Sequence, residues 1–102
     1  MLRIPIRKHW WKMIYDNDKP EEYREIGDYW RKRFQTLGLL DEKGEPVPDA
    51  VADVILVNGY GPKAPELLVR IMLRIGTGEP KWGAEPGKKY YVLPILTARR
   101  IR

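Results

Sequence analysis

"NDKPEEYRE", residues Asn17–Glu25, sets Lys19 and Arg24 among four acidic residues, directly after a stretch with paired tryptophans. Its second half, "EEYREI", reads as a strand with Glu22 and Arg24 on one face and Tyr23 and Glu25 on the other. Lys19 falls at the turn that enters this strand. Two arrangements suit such a pattern. In one, Glu22 and Arg24 form an ion pair closing one end of a barrel, with the remaining charges solvated. In the other, Lys19, Glu22 and Arg24 point into a common cleft. There the arginine offers a planar fork to a phosphate or base edge, and the glutamate accepts from an amino group. A lysine held in such a cleft can also shift its pKa and act as a base.

Upstream, "LRIPIR" (residues 2–7) alternates Leu2, Ile4 and Ile6 with Arg3, Pro5 and Arg7, the period of a half-buried strand. Pro5 donates no ladder hydrogen bond, which places this strand at an edge. From Lys8 the period changes: Trp10, Met13 and Ile14 fall at i, i+3, i+4, as expected of a short amphipathic helix ending near Asp16-Asn17. Asn17 suits the left-handed conformation at that exit. Downstream, Gly27-Asp28 stops the charged strand and offers Asp28 as N-cap of a helix over "YWRKRFQTL". The following "GLLDEKGEPVPDA" reads as a long loop, a flap or variable surface. The C-terminal half reads as strands: "ADVILVNGY", then "LLVRIMLRIG" as one alternating strand, then "KKYYVLPILTARRI", interrupted by Pro94. Strand, helix, strand, helix and then several strands point to an α+β fold, a small mixed β-barrel with two or more short helices at its ends, in one domain over residues 1–102.

Composition limits the chemistry. The chain has 102 residues, no cysteine and one histidine, His9, so thiolate metal sites, disulfides and a Ser-His-Asp triad are poor candidates, and serine is absent. No metal or other cofactor is expected. No apolar run approaches the roughly 20 residues that span a bilayer, and "MLRIPIRKHWW" lacks the features of a secretory signal, so a cytoplasmic protein without a membrane partner is expected. The net charge of +5 points to polyanionic partners. Residues 1–12 carry four Lys/Arg and no acid, residues 31–33 read "RKR", and residues 63–102 hold nine basic against three acidic residues. These either converge on a phosphate-tracking face or are dispersed solvated charges.

The charged stretch resembles the G-x-K-x-x-E-x-R motif of ASCH domains, with Asn17 at the glycine and Lys19, Glu22 and Arg24 at the polar positions. "IPIRKHWWKMI", "GDYWRKRF", "VNGY" and "IGTGEPKWGAEPGKKYYVLPI" also look like small bacterial and phage ASCH proteins, so the resemblance covers most of the chain. It implies a PUA-like barrel, with the signature residues lining a cleft that binds RNA or a nucleotide. One branch similar to this family, amidohydrolases acting on acetylated cytidine, carries a threonine nucleophile where this chain has Glu22. The alternative activity implied is therefore hydrolysis of a modified nucleoside or of RNA, with Lys19 and Glu22 as catalytic residues activating water.

Tyr60 and Trp82, in glycine-rich surroundings, are the aromatic candidates to flank a base. Tyr90 is a third candidate that reads more readily as a packing residue, and Trp10, Trp11, Trp30 and Phe34 read as packing residues because of their helical spacing. Arg99, Arg100 and Arg102 form a basic tail that either touches phosphates or frays.

Overall fold

The alternating N-terminal residues form β1 (Arg3–Ile6), with Ile4 and Ile6 buried and Arg3 and Pro5 exposed. The strand lies parallel to β3 (Ala52–Asn58) at one end of the sheet, so the missing N–H of Pro5 falls on an edge. Helix α1 (Lys8–Tyr15) buries Trp11 and Ile14, and the Trp11 indole N–H donates to the Leu56 carbonyl at 3.1 Å. This hydrogen bond ties the helix to the inner face of β3. The helix ends where Asn17 takes a φ of 62°, a conformation that asparagine tolerates better than most residues. The Asp18 and Lys19 amides both donate to the Met13 carbonyl, at 2.8 and 3.2 Å. That turn carries Lys19 into the interior.

Helix α2 (Asp28–Thr36) follows β2 (Glu21–Glu25). Asp28 is its first helical residue rather than its N-cap; Gly27 occupies the cap position, and the Asp28 carboxylate pairs instead with Arg31 at 2.8 Å, one turn on. The stretch read as a flap is anchored. Leu39 and Leu40 are buried in the core, Leu40 bridges to Pro46, and the Asp41 carboxylate accepts from the Lys43 and Glu45 amides at 2.9 Å each.

The alternating run "LLVRIMLRIG" is two strands, not one. Strand β4 (Glu66–Ile71) and strand β5 (Arg74–Thr77) are separated by Met72-Leu73, with an irregularity at Arg70/Ile71. Both pair with β6 (Lys89–Arg100), whose second half lies against β4 and whose first half lies between β5 and β2. Pro94 sits where β6 changes partners, and its carbonyl accepts from the Met72 amide at 3.1 Å. The C-terminal arginines are not frayed: Arg99 and Arg100 are in β6, and the Arg102 carbonyl accepts from Glu66 N–H at 3.1 Å.

In the computed structural model, which describes residues 1–102, the strand order is β1-β3-β4-β6-β2, with β5 also on β6. This mixed sheet curls into a half-barrel with two helices, a small α+β barrel-like fold. Its main core gathers Ile4, Trp11, Ile14, Phe34, Leu56, Leu67, Val69, Tyr91 and Leu93, each such buried side chain contributing about 1.5–3 kcal/mol before entropy is counted. A smaller cluster of Tyr23, Ala84, Tyr90 and Val92 packs under the β2/β5 end. No helix is long and apolar enough to cross a membrane.

Candidate functional site

Because β1 and β2 are neighbours in space but not in the sheet, the half-barrel has a seam between them, and Arg24 crosses it. Its Nη2 donates to the Pro5 carbonyl of β1 at 3.0 Å, while its Nη1 donates to the Tyr23 carbonyl at 2.6 Å. A cleft of about 720 Å³ opens at this seam, within the size range of small-ligand sites.

Glu22 and Arg24 share one side of β2 and both line the cleft, as do Tyr23 and Glu25 beside them. Lys19 does not line it. Its side chain is completely buried behind Glu22, with Nζ donating to the Glu21 carbonyl at 2.6 Å and 3.2 Å from Glu22 Oε1. The ammonium also faces the Tyr23 and Trp10 rings, 4.7 and 5.4 Å from their centroids. Desolvation by burial lowers the Lys19 pKa, opposed by the Glu22 carboxylate. Burial likewise lowers that of Arg24, again opposed by Glu22, yet a guanidinium starts so high that it stays charged. Glu22 Oε1 receives Lys19 and also the Tyr23 amide, at 2.9 Å. Glu22 Oε2 pairs with Arg24 Nη1 at 3.6 Å, longer than a good hydrogen bond, and is not sealed from solvent. Lys19, Glu22 and Arg24 are therefore layered: a buried cation, a carboxylate and an arginine at the cleft.

Tyr23 marks the other face of β2. Its hydroxyl donates to Glu21 Oε2 at 2.6 Å and accepts from the Glu79 amide at 3.0 Å, tying the loop before Trp82 to the strand. Burial first, and the Glu21 hydrogen bond second, push its pKa well above the usual tyrosine range.

Tyr60 and Trp82 both line the cleft. Tyr60 is 89% exposed, at a turn between Gly59 and Gly61, both with positive φ. Trp82 is half-buried at the end of a 3-10 turn (Pro80–Trp82). Three rings read as packing residues also reach the cleft: Trp10, Trp30 and Tyr90. Trp30 stacks on Phe34 at 5.6 Å yet receives Arg24 over its ring at 5.3 Å, so a helical position at core spacing serves both core and cleft. Trp10 and Trp11 are successive residues about 100° apart on α1; Trp11 is buried in the core, while Trp10 is half-buried and reaches the cleft. Arg7 and Arg24 meet Glu22, Glu25 and Glu85 on the cleft wall, which leaves no excess positive charge there.

Comparison of the chain with protein-family profiles, with curated proteins and with solved structures found no match.

Proposed function

We propose that the chain is an RNA- or nucleotide-binding domain of ASCH type on a PUA-like barrel, and that its seam cleft takes a nucleobase. The observation that carries this reading is Glu22 Oε2, whose one polar neighbour is the Arg24 guanidinium at 3.6 Å, in a cleft flanked by aromatic rings. An adjacent acceptor and donor match the amino and carbonyl groups on a base edge. Trp82 and Tyr60 supply faces for stacking, each stacked ring contributing about 1–3 kcal/mol. The balanced charge of the cleft suits an uncharged base better than a phosphate, which stays outside. Lys19 acts here as a positioning residue, fixing the Glu22 carboxylate from behind.

A hydrolytic reading, on a modified nucleoside or RNA, is favoured only by the lowered pKa of Lys19. Since Glu22 stands between Lys19 and the cleft, Glu22 would be the group that meets water.

The test is titration of the intrinsic tryptophan fluorescence with the four ribonucleosides, comparing wild type with Arg24→Ala, and with acetylated cytidine followed for product. Saturable quenching by at least one ribonucleoside, lost in a folded Arg24→Ala, supports base binding. Binding unaffected by Arg24→Ala contradicts it, and turnover lost in Glu22→Gln selects the hydrolase.

A further inference from the structure

Outside the cleft, α2 presents a stripe of Tyr29, Lys32, Arg33 and Thr36, spaced i, i+3, i+4 and i+7 on one helical face. Tyr29 is 60% exposed. It meets Trp30 of the cleft wall edge-on at 5.0 Å. On its own helix, the Arg33 guanidinium lies 3.5 Å above the Tyr29 ring centre and is held there by Nη1 donating to the Tyr29 carbonyl at 2.8 Å. The result is a flat, pre-ordered platform of arginine on tyrosine. Neither Lys32 nor Arg33 has an acidic partner, whereas the adjacent Arg31 is neutralised by Asp28. Past the platform, Lys32, Arg33, Thr36 and Leu37 line a second, shallower hollow of about 520 Å³ with Met1 and Leu2.

We infer that a single-stranded nucleic acid seated in the cleft continues over this α2 stripe, one base stacking on the Arg33/Tyr29 platform and its phosphates meeting Lys32 and Arg33. This rests on the reading of the cleft as a base site. The chemistry of the two places is complementary. The cleft has no surplus positive charge and holds a base, and the stripe has unpaired cations and holds backbone. From Tyr29 to Thr36 the helix advances about 10 Å, space for roughly one or two further nucleotides. A duplex does not fit this path, because its bases are stacked inward and only splayed bases reach an aromatic face.

The experiment compares affinities for single ribonucleosides with those for short mixed-sequence single-stranded RNA and DNA, in wild type, Arg24→Ala, Tyr29→Ala and the double variant Lys32→Ala/Arg33→Ala. Melting of each variant confirms the fold. The expected result is an oligomer bound at least tenfold more tightly than any nucleoside. Tyr29→Ala should remove about tenfold of that gain, the size of one stacked base, and leave nucleoside affinity unchanged. In the double variant the salt dependence of oligomer binding should flatten by about 0.7 for each phosphate no longer neutralised. An oligomer that gains nothing over a nucleoside, or whose binding ignores Tyr29→Ala, overturns the inference while the cleft reading stands. Oligomer binding sensitive to Tyr29→Ala but indifferent to Arg24→Ala upholds the stripe and overturns the cleft. Absence of binding by nucleosides and oligomers alike overturns both.

Discussion

Lys19 Nζ lies 3.2 Å from Glu22 Oε1, the lysine fully buried and the glutamate at the cleft wall. A charge in that position is tolerated because its partner and the Glu21 carbonyl replace lost water. The pair consists of a buried support and a cleft-facing group, and the two residues should respond differently to substitution.

Lys19→Met leaves the Glu22 carboxylate without its buried partner and is expected to destabilise the fold by about 3 kcal/mol. Adding Glu22→Leu removes the orphaned carboxylate but leaves Arg24 without its own acidic partner, so it should recover only part of that stability. Urea unfolding of the two single variants and the double variant measures the coupling. Equal and additive losses would contradict it.

The pH dependence of stability should change sign near pH 10. Lys19 has a folded-state pKa below its unfolded value, so the unfolded chain binds more protons between the two, and stability rises with pH through that window. Tyr23 has a folded pKa above its unfolded value, so its contribution is fully present below about pH 10 and is lost as pH rises beyond it. Unfolding curves of wild type, Lys19→Met and Tyr23→Phe from pH 8 to 11 separate the two. The rise should vanish in Lys19→Met, and the fall should shrink in Tyr23→Phe to the part that comes from Lys88, whose pKa the Glu25 hydrogen bond raises.

Gly78 has no room for a side chain. A Cβ there would overlap the Tyr23 ring and sit 2.9 Å from Ala84 Cβ. Gly78→Ala should cost about 1–3 kcal/mol by overpacking and loosen the hydrogen bond between the Tyr23 hydroxyl and the Glu79 amide. Unfolding and amide exchange at Glu79 report both effects.

Much of this fold is legible in the chain because local signals agree with the tertiary arrangement. Pro5 within an alternating run marks an edge strand, and Asn17 marks the exit of α1. The break after Ile71 is not legible. Alternation continues through Met72 and Leu73, and the bend depends on β6 having different neighbours along its length. The site is partly legible for the same reason. Period 2 turns Glu22 and Arg24 to one side, but nothing local tells that Lys19 passes behind the strand into the interior. Trp30 has core spacing and a cleft-facing ring at once, a double use that helical periodicity cannot register.

The most direct measurement of the central claim is nucleoside titration followed by the indole N–H resonances of the four tryptophans. Trp10, Trp30 and Trp82 line the cleft, while the Trp11 indole is buried on the Leu56 carbonyl and serves as an internal control. A base in the cleft should shift the first three resonances together and leave Trp11 in place. Shifts confined to residues elsewhere, with the three cleft indoles unmoved at saturation, would contradict the account.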